Sequence, residues 1–350
     1  MSARSELQAT VEVLVHMGKG KGILAADESG PTIGKRLNVI GVESSQESRR
    51  AWRSLILGAP GLGEFVSGII LHEETLGQCA DDGTPLPQLA VRQGIVPGIK
   101  VDAGKIALAG APGDEITQGL DGLAQRIDAY KRQGARFAKW RAVYNVSATL
   151  PSPLALQANA QALARYAAIC QEQGIVPIVE PEVLIDGEHT LARCAEVTEA
   201  VLHEVFHALH RHQVVLELML LKPSMVLPGK AQAQAQQATP AEVAAQTIRI
   251  LRRTVPAAVA SINFLSGGQT PEEATANLDA INRLGPQPWP LSFSYGRALQ
   301  EPALQAWKGH AANARNSQDA LLERARLNSA ACQAQYSAAM EAADPASRLA

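Results

Sequence analysis

Eight short apolar runs, each closing on polar, charged or glycine residues, punctuate the chain: GILAAD (22–27), SGIILHE (67–73), GIKVD (98–102), RFAKWR (136–141), VPIVEPE (176–182), LELMLLKPS (216–224), ASINFLSGG (260–268) and PLSFSYGR (290–297). Most are too continuously apolar for a half-exposed antiparallel sheet. They predict parallel strands covered on both faces. Between them, GLDGLAQRIDAYKRQGA and LALQANAQALARYAAICQEQGI carry helical spacing. Each interval leaves room for a loop, a helix and a return. Eight such repeats predict an α/β fold of the (β/α)8 TIM-barrel type, which needs ~250 residues before extensions. A doubly wound sheet is the second reading; it expects a Gly-rich turn after the first strand, with an acidic residue ~20 positions on. The segment AADESGPTIGKR contains no GxGxxG, which favours the barrel.

Residues 1–350 read as a single domain, with the barrel core at about 20–310. Residues 1–20 are expected to form a helix lying over the barrel. The Ala/Gln-biased stretch AQAQAQQATPAE (231–242) reads as a loop before the next helix, and the Ala-rich segment 311–350 as a helical tail, mobile at its end.

Composition narrows the class. With 350 residues and 46% apolar content the chain can bury a large core. A net charge of −2 supplies no global field for nucleic acid or an acidic membrane, so an anionic ligand must be held by local groups. Cys79, Cys170, Cys194 and Cys332 are widely spaced, as expected of free thiols in a reducing compartment. No segment approaches the ~18 apolar residues of a spanning helix. A soluble, cytoplasmic protein is expected, with neither nucleic acid nor membrane as partner.

In a barrel the C-terminal strand ends converge on one face, where chemistry is built. Those ends carry Asp27, Glu73, Lys100, Lys139 with Arg141, Glu180 with Glu182, Lys222, Ser266 and Arg297. Lys222 is the sole charge in LMLLKPSMVLP. Apolar surroundings disfavour an ammonium, and a neutral amine attacks ketones. An isolated lysine there would more often snorkel to solvent; the company it keeps argues otherwise. Lys139 adds a second cation. Glu180 and Glu182 are two apart, so on a strand they point the same way and raise one another's proton affinity. The plain alternative is a structural ion pair, Lys139 to Glu182 for instance. Asp27 has its own plain reading as a helix cap. Ser266-Gly267-Gly268 and Gly296-Arg297 combine freed backbone N–H groups with an arginine fork, suiting a phosphate. Ser29, Thr32, Arg36 and Lys100 can hold a second one.

His203-Glu204-Val205-Phe206-His207 matches HExxH, a zinc-protease signature. Leu202, Val205, Phe206 and Leu209 form the apolar face of that helix, leaving both histidines on its flank. No catalytic metal is expected there.

GILAADES, ADDGTPLPQ, GIKVD, TQGLDGL, FAKWR, GIVPIVEPE, LLKP, FLSGGQ and FSYGRALQ resemble the class I fructose-bisphosphate aldolases, in the family's order across about residues 18–340. The resemblance implies reversible cleavage of fructose 1,6-bisphosphate through a lysine Schiff base, in glycolysis and gluconeogenesis. It needs no metal and no cofactor. It implies that Lys222 forms the imine and Asp27 accepts the C4 hydroxyl proton, while Glu180 shuttles protons, tuned by Lys139 and Glu182. Ser266, Gly267, Gly268, Gly296 and Arg297 would hold the 1-phosphate. Ser29, Thr32, Arg36, Lys100 and Arg49 would hold the 6-phosphate end, and Arg141 would also bind substrate. Sugar phosphates are the implied partners, and a homotetramer the implied assembly.

The chain departs from the family at three points. Animal and plant members end in a tyrosine that assists proton transfer at C3; here the last residues are SRLA and the last tyrosine is Tyr336. The C3 proton carrier therefore stays open. Leu218 replaces a usual glycine and is expected to tighten packing behind Lys222, and Thr32 replaces a serine. Two other functions are weighed: an aldolase preferring a sugar 1-phosphate, and a non-catalytic scaffold on the same frame.

Overall fold

The computed structural model describes residues 3–15, 20–232 and 237–342. Within them eight parallel strands close a barrel: β1 (Gly22–Ala26), β2 (Val66–Leu71), β3 (Val96–Lys100), β4 (Phe137–Tyr144), β5 (Val176–Val183), β6 (Leu220–Leu221), β7 (Ser261–Phe264) and β8 (Leu291–Tyr295). Each pairs with its sequence neighbours, and β8 returns to β1 with Ser294 opposite Ile23. Period two then sends alternate side chains inward and outward. On β8 the buried Tyr295 hydroxyl donates outward to Ala274 O on the surrounding helix Pro271–Arg283, so Ser294 beside it faces in. Capped helices wrap the strands. Thr239-Pro240 with Glu242 and Thr270-Pro271 with Glu273 each form a reciprocal capping box, which sets where those helices begin.

The N-terminal helix, Ala3–Val15, closes the bottom of the barrel. Its Leu7, Val11 and Leu14 pack with Ile23, Ile70, Phe137, Val176 and Leu220 in a core cluster. Aromatic rings fill the barrel at this level because glycines leave room. A Cβ on Gly98 would sit 2.3 Å from the Phe137 ring, so any larger residue there would expel it. The remaining core lies between strands and helices. The N-terminal end of the barrel is thereby filled by side chains, and its C-terminal end is left open.

Three sequence expectations change. The run 216–224 is not one strand: Leu216–Leu218 is a single 3-10 turn and only Leu220–Leu221 pairs as β6. A continuous apolar run does not distinguish strand from turn, and here the Gln171 side chain takes up the Val215 N–H, Val215 O and Leu218 O in place of a neighbouring strand. Leu218 accordingly joins the bottom cluster with Leu7 and Leu220. Between β3 and β4 an antiparallel hairpin, Lys105–Ala107 with Glu115–Thr117, precedes the expected helix, which starts at Leu123.

The expected tail is helical at Ala314–Cys332 and packs against the barrel helices. Tyr336 donates its N–H to Asp279 and its hydroxyl to Glu341. The end of the tail, 343–350, lies outside the described residues, as do 16–19 and part of the Ala/Gln loop.

Candidate active site

A cavity of about 1110 Å³ opens at the C-terminal ends of the strands. Its floor is an ion network. Lys139 on β4 points inward, 2.8 Å from Asp27 Oδ2, 3.3 Å from Glu180 Oε2 and 3.8 Å from Asp102 Oδ2. Lys222, just after β6, lies 3.0 Å from Glu180 Oε1. Glu180 on β5 thus bridges two ammonium groups, one on each oxygen. All five side chains are buried.

Burial in such a place penalises every charge, and only mutual neutralisation keeps them ionised. Desolvation alone would raise the Asp27 carboxyl, but Lys139, Lys222 and Lys100 outweigh it and hold it well below the usual aspartate range. Lys139 shows the mirror image. Burial lowers it, while Asp27, Glu180 and Asp102 together raise it well above an ordinary lysine. At neutral pH Asp27 and Lys139 are therefore both charged.

The plain pairing of Lys139 with Glu182 is not formed. Glu182 is instead the partner of Arg141 Nε, and Glu180 takes the lysines. The two carboxylates therefore make their shortest ion pairs with different cations. Nor do apolar sequence neighbours surround the Lys222 amine; a carboxylate from the adjacent strand does. Asp27 is not a cap either. Ser29 is the N-cap of the helix Gly30–Val39, and Asp27 faces Lys139.

Two walls rich in hydrogen-bond donors flank the floor. On one side Ser266, Gly267, Gly296 and Arg297 line the cavity. Gly296 is the N-cap of the helix Arg297–Trp307, whose free N–H groups favour an anion. Arg297 Nη2 donates to Gly267 O at 3.4 Å, linking the two loops. Gly267 adopts φ +55°, a conformation glycine takes without strain. Gly268 does not line the cavity: it faces away, with the Lys230 amine 2.8 Å from where its Cβ would be. Its neighbour Gly267 makes the turn and presents to the cavity in its place.

On the other wall are Ser29, Thr32, Arg36 and Lys100. Ser29 Oγ lies 3.1 Å from Thr32 Oγ1 and caps no N–H, so both hydroxyls remain available to a ligand. Lys100 is folded onto Asp102, with Nζ 2.6 Å from both Oδ1 and the main-chain oxygen. Arg36 holds Glu28 at 2.5 Å. Arg49 is not brought to the cavity. It binds Glu74 through Nε and Nη2 at 2.8 and 2.7 Å, a partner that helix Gln46–Leu57 meets only through space. Arg49→Ala is therefore expected to leave KM for a sugar bisphosphate within about twofold of the parent; steady-state kinetics check it.

Asp102 and Ser294 are among the cavity residues that escaped sequence reasoning. Asp102 ends GIKVD two positions after Lys100, and that spacing was the available signal. Ser294 carried none: a serine inside FSYGR looks like strand filler. It is buried, it lines the cavity, and its hydroxyl has no partner among the described residues.

On the helix Leu191–Arg211, Leu202, Val205, Phe206 and Leu209 are buried while His203 and His207 are exposed. No group of three or more His, Cys, Asp or Glu able to hold a metal forms among the described residues. The four cysteines are free thiols.

A family model described as glycolytic fructose-bisphosphate aldolase class-I matches residues 6–349. The chain is 51% identical over 324 residues to a probable fructose-bisphosphate aldolase class 1 of Xanthomonas campestris, covering 92% of this chain and 96% of that one. It is 54% identical over 318 residues to cytosolic fructose-bisphosphate aldolase 6 of Arabidopsis thaliana, covering 91% and 88%. Against fructose-bisphosphate aldolase of Drosophila melanogaster the identity is 52% over 335 residues, covering 95% and 91%. Among solved structures it is similar to the Plasmodium falciparum fructose-bisphosphate aldolase in a ternary complex with TRAP and a small-molecule inhibitor. The TM-score is 0.93 at 48% identity, with 96% of each chain covered.

Proposed function

The chain belongs to the class I fructose-bisphosphate aldolase family, and on that premise we propose that Lys222 is the Schiff-base lysine of a reversible cleavage of fructose 1,6-bisphosphate. The products are dihydroxyacetone phosphate and glyceraldehyde 3-phosphate. One observation carries the assignment: buried Glu180 bridges the buried Lys222 and Lys139 at 3.0 and 3.3 Å.

Lys222 attacks as a neutral amine, so its proton must leave first. Glu180 Oε1, at 3.0 Å, is within reach to take it and later to protonate the departing carbinolamine hydroxyl. The resulting iminium is an electron sink at C2. Asp27 takes the C4 hydroxyl proton while the C3–C4 bonding pair moves into C2, turning the iminium into an enamine and releasing the aldehyde. A carboxylate held as low as Asp27 is a weak base, so the driving force lies in the sink and Asp27 supplies position and charge. Lys139 stabilises the negative charge on both carboxylates throughout. Arg141 keeps Glu182 out of this exchange.

The two phosphates span the cavity. Ser266, Gly267, Gly296 and Arg297 hold the 1-phosphate; Ser29, Thr32, Arg36 and Lys100 hold the 6-phosphate. Lys100 must leave Asp102 to do so. A ketose 1-phosphate is the rival substrate, and faster turnover of it than of the bisphosphate would overturn the assignment. Cytosolic location and a homotetramer complete the proposal; cytosolic isozymes are among the relatives, and no described helix is long and apolar enough to cross a membrane.

Borohydride reduction in the presence of dihydroxyacetone phosphate is expected to add the reduced ligand's mass to the peptide carrying Lys222, with and without chelator. Absence of the adduct removes the mechanism.

A further inference from the structure

Beneath the Arg36 wall lies a second ion cluster that the chemistry above does not use. Glu28, next to Asp27, is buried with a side chain only 6% exposed. Its Oε1 accepts from Arg36 Nη1 at 2.5 Å and from Gln300 Nε2 at 2.8 Å. Its Oε2 lies 2.5 Å from Nη2 of Arg53, which is 3% exposed and has no other ionic partner among the described residues. Gln300 also donates to Ala25 O at 2.7 Å and accepts from Trp52 Nε1 at 3.2 Å. The cluster therefore ties β1, which leads into Asp27, to the helix of Trp52 and Arg53 and to the helix that begins with Arg297.

Arg36 and Gln300 both donate to Oε1 of Glu28, and its buried Oε2 faces Arg53 as an ion pair without a hydrogen bond, so the carboxylate is turned away from a substrate. Burial pushes its proton affinity up, but Arg53 and Arg36 overcome this and hold it below the usual glutamate range. Arg36 is placed differently. Its side chain is 25% exposed, one edge of the guanidinium is on Glu28, and the rest makes no other hydrogen bond among the described residues. A guanidinium bound along one edge is oriented along the other, the geometry suited to a phosphate. Arg53 supplies the buried countercharge that lets Glu28 remain ionised while sharing itself with Arg36.

We propose that Glu28, held ionised by the buried Arg53, is the positioning residue that aims Arg36 at the distal phosphate and so sets the preference for a ketose bisphosphate over a ketose 1-phosphate. This rests on the reading of Arg36 as a 6-phosphate residue and extends it to a carboxylate that acts only through that arginine.

The test is a double-mutant cycle in the full-length protein, reading kcat/KM for fructose 1,6-bisphosphate over that for fructose 1-phosphate. Arg36→Ala is expected to lower this ratio ~tenfold, through KM for the bisphosphate. Glu28→Gln is expected to lower it by about the same factor. The double variant should fall within ~twofold of Arg36→Ala alone, because Glu28 has no route to the phosphate except Arg36. If leaving Arg53 unpaired prevents folding, Glu28→Gln with Arg53→Met removes both charges and the same ratio is read. Equal losses for both substrates, or multiplicative losses in the double variant, overturn the proposal. If Arg36→Ala leaves the ratio unmoved, the 6-phosphate reading itself fails; if Arg36→Ala moves it and Glu28→Gln does not, only the positioning role fails.

Discussion

Lys222→Met is expected to lower turnover of fructose 1,6-bisphosphate by at least ~10^4-fold and to abolish borohydride trapping. Methionine keeps the unbranched stem and removes the amine, the one group the mechanism cannot borrow from elsewhere. Without an imine the C3–C4 bonding pair has no sink. Neither correct binding of both phosphates nor an ionised Asp27 replaces it. The fold should survive, because Glu180 keeps Lys139 at 3.3 Å when Lys222 is lost. Thermal unfolding and stopped assays on the same preparation separate the two effects. Residual turnover above about one part in a hundred would put the nucleophile at another residue.

The largest effect on stability is expected from Lys139→Met. Lys139 is 4% exposed and is the cation shared by Asp27, Glu180 and Asp102. Removing it leaves buried carboxylates short of a counter-ion, a change that typically costs about 3–5 kcal/mol. Activity should fall as well, by ~10^2-fold or more, since the proton-transfer groups lose their common electrostatic support.

The pH dependence gives the sign. In the parent, Asp27 sits below its ordinary value of 3.8, so its contribution to stability is present above that value and lost as pH falls through the depressed one. Lys139 sits above its ordinary 10.5, so its contribution is present below that value and lost only as pH rises further. In the variant, burial of Asp27 loses its strongest counterweight and the carboxyl moves up. The stability gap between parent and variant should therefore narrow as pH falls from about 7 toward about 4. Denaturant titrations across that range measure it; a gap that widens on acidification would contradict the shared-cation account.

These two residues also show how far the sequence could be read. Lys222 stood out because a charge in an apolar run is conspicuous, and because seven other runs closed on polar or glycine residues in the same way. Lys139 and Glu180 were legible by the same token. Their partners were not. Period two made Glu180 and Glu182 look like a coupled pair, yet β4 pairs with β5 so that Arg141 lies opposite Glu180, and Arg141 claims Glu182 while the lysines claim Glu180. Arg49 illustrates the reverse error: a basic residue near the right wall in sequence turned to Glu74 and left the cavity. Ser294 and the Glu28–Arg53–Gln300 cluster gave no local sign at all. A buried hydroxyl without a partner and a carboxylate shared by two arginines exist only once distant segments are packed together.

By itself, then, the sequence determined the repeat of strand and helix, the barrel, the face on which the chemistry lies, and the residue types that carry it. Hydrophobic period and the order of short motifs are properties of neighbours along the chain. Tertiary structure alone decided which carboxylate meets which cation, which glycine faces the cavity, that Leu218 packs in the bottom cluster, and that Lys222 pairs with Glu180. Those pairings depend on the register between strands and on distances of about 3 Å between residues some forty or more positions apart, where Coulomb energy changes steeply with separation and burial. Lys222 is conspicuous in the chain as a solitary charge; in the barrel it is one of two lysines whose amines lie 3.0 and 3.3 Å from the same carboxylate, that of Glu180.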